Sequence, residues 1–64
     1  MKTFITGNTY ESKEGMAIVI LKRTKTRLHY EYKGYNHNSK IYTDSNNNEY
    51  TNPGNDKNNE LFQA

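Results

Sequence analysis

The run Met16-Ala17-Ile18-Val19-Ile20-Leu21 constrains this chain more than any other stretch. Gly15 precedes it and Lys22-Arg23 follows, so it is short and sharply bounded. That length suits a strand. The β-branched centre Ile18-Val19-Ile20 resists helix, because branched side chains lose χ1 freedom against the preceding helical turn. Successive strand side chains point to opposite faces, so Met16, Ile18 and Ile20 share one face and Ala17, Val19 and Leu21 the other. Both faces are apolar, whereas a sheet with one wet face shows alternation. The run therefore needs cover on two sides. Leu61-Phe62 folding back is one candidate cover. A second copy of the chain, self-associating through Met16, Ile18 and Ile20, is the other.

Little else in the chain can build a core. With 64 residues there is room for one small domain, residues 1–64, which buries only about 60% of its unfolded surface. No cysteine is present, which removes a disulfide framework and a cysteine zinc cluster as compensation. Phe, Ile, Leu and Val occupy ten positions only: Phe4, Ile5, Ile18, Val19, Ile20, Leu21, Leu28, Ile41, Leu61 and Phe62. Such poverty points to disorder when it accompanies high net charge, but the net charge here is +2. Six Tyr and seven Thr favour strands instead, and Tyr adds buried area.

The remaining elements follow from alternation and turn residues. Lys2–Thr6 reads as a first strand, stopped by the turn pair Gly7-Asn8. Thr9–Gly15 is polar around Tyr10, and Glu11–Glu14 is at most a helical turn. From Arg27 to Lys33 alternation is clean, with Leu28, Tyr30 and Tyr32 on one face and Arg27, His29, Glu31 and Lys33 on the other. A strand continuous from Met16 to Lys33 would exceed the usual 3–10 residues, which places a bend, bulge or turn near Thr24–Thr26. Gly34–Ser39 reads as a loop, Lys40–Thr43 as a short strand, Asp44–Asn48 as a turn, Glu49–Thr51 as a returning strand and Asn52-Pro53-Gly54 as a second turn. The segment 52–60 is polar. The expected fold is all-β, a small antiparallel meander or partly closed five-stranded barrel of SH3-like or OB-like size, with no substantial helix.

Charge is unevenly spread. Residues 1–21 balance to zero, residues 22–40 carry +5, and residues 41–64 carry −3. The basic middle is the main functional signal. If the backbone is extended, Arg23, Lys25, Arg27 and His29 share one face at intervals of about 6.6–6.8 Å, close to the phosphate spacing of an extended single strand. Tyr30, Tyr32, Tyr35 and Tyr42 lie near in sequence as stacking surfaces. A basic groove with aromatics is how small β-barrels hold single-stranded nucleic acid. The expected binding set, for nucleic acid or a protein partner, is Lys22, Arg23, Lys25, Arg27, His29, Lys33, Tyr35 and Lys40. The bland reading of the same residues is a solvated edge that Lys and Arg protect from aggregation.

Phe4-x-x-Gly7-x-x-Tyr10, followed by Val19-Ile20-Leu21-Lys22-Arg23-Thr24-Lys25-Thr26, resembles a group of short β-proteins of phage and other bacterial mobile elements. These pair a Phe/Val-x-x-Gly-x-x-Tyr opening with an apolar strand and an Arg-Thr-x-Lys-Thr-like junction. Asp44–Tyr50 and Pro53-Gly54 echo the group's later acidic-Gly-Glu-Tyr turn and Pro-Gly segment, so the likeness covers most of the chain. The junction here is one residue shorter than the group's pattern. Ser12–Gly15 replaces its Asp/Cys-containing stretch. The resemblance implies a mobile-element origin and carries no activity with it. Ten Asn, with Lys, Tyr and Ile also common, fit the AT-rich codons of such genomes.

Other chemistry has weak support. His29 and His37 alone, without Cys or carboxylates at ligand spacing, do not make a metal site. Asp44–Asn48 opens like an EF-hand loop, but Glu49 stands where Gly is needed and Asn55 where the bidentate Glu is needed. No cofactor is expected. There is no Cys nucleophile, no Gly-rich phosphate loop, and Ser12, Ser39 and Ser45 lack a strand-turn-helix setting. Scattered Asp44, Glu49 and Asp56 do not pair for acid-base work, so the chain reads as a non-enzyme. No apolar leader follows Met1-Lys2, and the longest apolar run is far below the roughly 20 residues that span a bilayer, so the expectation is a cytoplasmic protein without a membrane. Its expected partner is nucleic acid, single-stranded by preference. The alternative is a host nucleic-acid enzyme that it inhibits as an anti-defence (anti-CRISPR-like) protein, with a homodimer possible in either case.

Overall fold

A computed structural model describes residues 1–53 and 61–64. Among the described residues, seven strands, all antiparallel to their neighbours, form two sheets. The first has the order β1-β2-β3-β4, with β1 at Thr9–Glu11, β2 at Ala17–Arg23, β3 at Arg27–Tyr32 and β4 at Tyr35–Lys40. The second has the order β5-β6-β7, with β5 at Tyr42–Thr43, β6 at Glu49–Thr51 and β7 at Phe62–Gln63. No helix occurs among the described residues. The fold is the expected all-β meander. Its described strands outnumber the five anticipated and lie in two sheets.

The sheets are nevertheless joined on both flanks. An isolated bridge between Ser12 and Phe62 links the end of β1 to β7. On the other flank β4 and β5 are separated by Ile41 alone. Ile41 packs against the core, and its N–H donates to the Thr26 carbonyl at 2.9 Å. The chain thus turns a corner there, with Lys40 and Tyr42 on the outside.

The core between the sheets consists of Phe4, Ile18, Ile20, Leu28, Tyr30 and Phe62. Phe62 is therefore the cover anticipated from the C-terminal end. It lies over the Ile18/Ile20 face, which places two of the three residues expected to self-associate, Ile18 and Ile20, inside the protein's own core. Ile18 and Ile20 are fully buried and Met16 half-buried in the protein's own interior. The uncovered face of β2 is the opposite phase, Ala17, Val19 and Leu21, with Val19 38% and Leu21 44% exposed.

Three local features depart from period-two reading. First, Lys2–Thr6 is not a ladder strand. It runs beside β6, with the Glu49 N–H donating to the Lys2 carbonyl at 2.9 Å, and it delivers Phe4 to the core. Second, β2 is bulged: Ile20 pairs with Tyr30 and Lys22 with His29, leaving Leu21 extra. A bulge shifts the side-chain phase by one, so Lys22 faces out and Arg23 faces the core side opposite Leu28. Third, the expected loop Gly34–Ser39 is mostly strand. Lys33 and Gly34, at φ 51° and 83°, form the type I′ turn that matches strand twist. This turn pairs Tyr32 with Tyr35 and the following residues through Arg27 with Lys40. Thr24–Thr26 is a hairpin turn as expected, its Thr24 N–H donating to the Arg27 carbonyl at 2.8 Å. Residues of the expected polar stretch 52–60 from 54 onward, Asp56 included, lie outside the described residues.

Candidate nucleic-acid interface

The outer face of the four-stranded sheet carries the basic cluster. Cross-strand pairing sets Lys22 beside His29, His29 beside Asn38, and Arg27 beside Lys40. Opposed side chains in such pairs have Cβ atoms about 4.5–5.5 Å apart, so these residues form a two-dimensional patch across β2, β3 and β4. Arg27 is oriented by Asn38, whose Oδ1 accepts from Nε at 3.1 Å and from Nη2 at 2.8 Å. Lys25 stands in the hairpin turn at the rim, exposed. The outer face also includes Val19 and Glu31, which are cross-strand partners.

The linear basic array expected from sequence does not form. Arg23 leaves it through the bulge and pairs with Glu49 of β6 through two guanidinium-carboxylate hydrogen bonds, the Nη2–Oε2 one at 2.8 Å. That is the only ion pair among the described residues. Glu49 also accepts from the Phe4 N–H at 2.9 Å. The Arg23 guanidinium holds the Glu49 carboxyl below the usual carboxylate range, against the opposing effect of burial, and the Phe4 N–H adds to the lowering. Arg23 thus binds sheet to sheet. Lys33 and Tyr35 are also outside the cluster. They sit at the β3–β4 turn, at the far end of the sheet from Arg27 and Lys40. Lys33 Nζ lies 5.3 Å from the Tyr32 ring centroid, while Tyr35 is 72% exposed. Of the expected set, the fold gathers Lys22, Arg27, His29 and Lys40, with Lys25 beside them.

The aromatic residues sort differently from their sequence order. Tyr30 is core, and Tyr32 is half-buried with its hydroxyl donating to Met16 Sδ at 2.8 Å. His37 stacks on Tyr30 with ring centroids 5.9 Å apart, on the inner side of β4. The aromatic side chain that reaches the basic cluster is Tyr42. Lys40 Nζ lies 5.4 Å from its ring centroid. Tyr42 in turn stacks on its cross-strand partner Tyr50, with centroids 5.5 Å apart and planes 22° from parallel. Tyr50 was missed by sequence reading. The signal for it is symmetry about the Asp44–Asn48 turn, which makes Tyr42 and Tyr50 partners once that turn is taken as a hairpin.

Lys40 is fixed from below. Thr51, fully buried, donates its hydroxyl to the Lys40 carbonyl at 3.0 Å and accepts from the Ser39 hydroxyl at 2.6 Å. The corner backbone is therefore pinned, and the Lys40 side chain is directed outward. Elsewhere, a polar cleft of about 110 Å³ is bordered by Lys2, Asp44, Asn48 and Glu49. Its carboxylates are already engaged, Glu49 by Arg23 and Asp44 by the Asn46 and Asn48 N–H groups at 2.8 and 3.0 Å. Among the described residues no group of three His, Asp or Glu is placed to hold a metal ion. No family model matches the chain, and neither the curated proteins nor the solved structures give a match.

Proposed function

We propose that this is a non-enzymatic nucleic-acid-binding protein of phage or mobile-element origin, which binds through Lys22, Arg27, His29 and Lys40 with Lys25 at the rim. The observation that carries the reading is the joining of Lys22, Arg27 and Lys40, with His29 between them, on one outer face, with no ion pair to any of them among the described residues. A cluster of cations with no ion-pair partner among the described residues suits a polyanion, because each phosphate contact releases condensed counterions. With three or four such contacts on a single strand, log K should fall against log salt with a slope of about −2 to −3, or about 20- to 50-fold between about 50 and 200 mM.

Anisotropy of a labelled single-stranded oligonucleotide, titrated at both salt concentrations, tests this. Lys22→Glu with Arg27→Glu and Lys40→Glu should abolish binding, while Lys33→Glu, away from the cluster, should leave it within about twofold. No binding by the native protein at the lower salt overturns the proposal.

A second reading is a protein-binding inhibitor of a host nucleic-acid enzyme. It is favoured by one observation, the uncovered Ala17, Val19 and Leu21 strip beside the cations. An apolar centre with a charged rim suits a protein partner. This reading expects a one-to-one complex with a nucleic-acid enzyme that is weakened by the uncharged Val19→Ser. Nucleic-acid binding expects Val19→Ser to be tolerated.

A further inference from the structure

We infer that Tyr42, backed by Tyr50, is a base-stacking platform that makes the basic face selective for unpaired nucleotides in single-stranded nucleic acid. The inference rests on the nucleic-acid reading above and adds to it the residue that contacts the base.

The argument begins with position. Tyr42 and Tyr50 lie on the outer face of the three-stranded sheet, whose next cross-strand member is Gln63. An aromatic pair there, Tyr42 exposed and Tyr50 half-buried, does not serve the core, which lies on the Thr51 and Phe62 side. Tyr42 is 40% exposed, with its ring stacked on Tyr50 and the mobile end of Lys40 over it. A ring so backed is held in place and pays little ordering entropy when a base covers it.

Lys40 belongs to both patches. It is the cross-strand partner of Arg27 and lies over the Tyr42 ring. Around the pinned corner at Ile41 the two outer faces form one surface, with cations on one side and a ring on the other. A nucleotide has the matching pair of groups, a phosphate and a base joined through one sugar. In duplex DNA the base faces are occupied by neighbouring bases, leaving only edges in the grooves. Unpaired bases offer their faces, and any base can stack, so such a platform is tolerant of sequence.

Exposure alone would favour Tyr35 at 72%. Tyr35 is at the wrong end of the sheet, so the two residues make opposite predictions.

The test uses the native protein with three probes at about 50 mM salt: oligothymidylate, an abasic phosphodiester strand of the same length, and a duplex of the same length. Oligothymidylate should bind about 5- to 150-fold more tightly than the abasic strand, the range of one base-aromatic stack. Tyr42→Leu, which keeps apolar area but not the ring, should remove that advantage. Tyr42→Trp should restore it, and Tyr35→Leu should leave it intact. Equal binding of oligothymidylate and the abasic strand by the native protein overturns the platform while leaving the basic-face reading standing. So does a Tyr42→Leu protein that keeps the full preference. Failure of all three probes to bind overturns the basic-face reading itself.

Discussion

Arg23 and Glu49 meet between the sheets, and their pairing shows how much rests on single side chains here. Glu49 is buried, so removing Arg23 would strand a carboxylate with only the Phe4 N–H as partner. Hydrogen bonds to charged groups contribute about 1.5–3 kcal/mol each in net terms, and Arg23 is partly exposed, so Arg23→Ala is expected to cost about 2–3 kcal/mol in chemical denaturation. The same pair sets an acid response. The folded pKa of Glu49 is lowered, first by the Arg23 hydrogen bonds. A carboxyl of this kind stabilises the fold above its unfolded pKa, about 4.3, and loses that contribution as pH falls through the folded value. Asp44 shifts in the same direction, held first by the Asn48 N–H, so stability should decline from about pH 5 downward. Glu49→Gln should be less stable than the native protein near neutrality, with a difference that narrows as pH falls toward about 3. Denaturation midpoints at both pH values check this; a constant difference contradicts it.

At the scale of elements, the β3–β4 hairpin depends on its turn rather than on strand propensity. Asn36-His37-Asn38-Ser39 is poor in strand formers, which is why it reads as loop. Lys33-Gly34 fixes the register regardless, through backbone twist. Gly34 has open space where a Cβ would stand, so Gly34→Ala would not clash. Its φ of 83° still carries a penalty of about 1–2 kcal/mol for an L side chain, larger than the roughly 0.4–1 kcal/mol gained by restricting the unfolded chain. The expected net loss is about 1 kcal/mol, a fall in Tm of about 4–8 °C for a domain this small. An unchanged or raised Tm would show that the turn is not what holds β4. The β2 bulge is the other decisive element. Clean alternation from Arg27 to Tyr32 was legible because that strand is regular. The phase of Lys22 and Arg23 was not, because one unpaired residue at Leu21 inverts both.

At the scale of the whole molecule, both sheets share one core, so they should unfold together. Phe62 comes from the second sheet and packs with Phe4, Ile18, Ile20, Leu28 and Tyr30. Phe→Ala in a core costs about 3–5 kcal/mol, against a total of about 3–10 kcal/mol for a chain of this size. Phe62→Ala should therefore be largely unfolded or strongly destabilised, with the β1–β4 sheet lost along with β5–β7. Amide dispersion in a proton–nitrogen correlation spectrum reports this. A Phe62→Ala protein that keeps the dispersed signals of β2 and β3 would mean that the four-stranded sheet stands alone.

Local chemistry in the sequence was enough for the strand class, the Met16–Leu21 strand, the Thr24–Thr26 and Asp44–Asn48 turns, and the basic character of residues 22–40. Each rests on neighbouring residues: β-branching, alternation, turn formers and charge. Tertiary structure decided which of these basic residues lie together. The bulge sent Arg23 inward to Glu49, the hairpin register set Lys22, Arg27, His29 and Lys40 side by side, and the corner at Ile41 brought Tyr42 and Tyr50 to them. It also decided which apolar face of β2 was covered, since Phe62 reaches that face from more than forty positions away in the chain. Period-two logic states that two faces exist. Only packing between distant segments, driven by removal of apolar surface from water, selects the one that is buried.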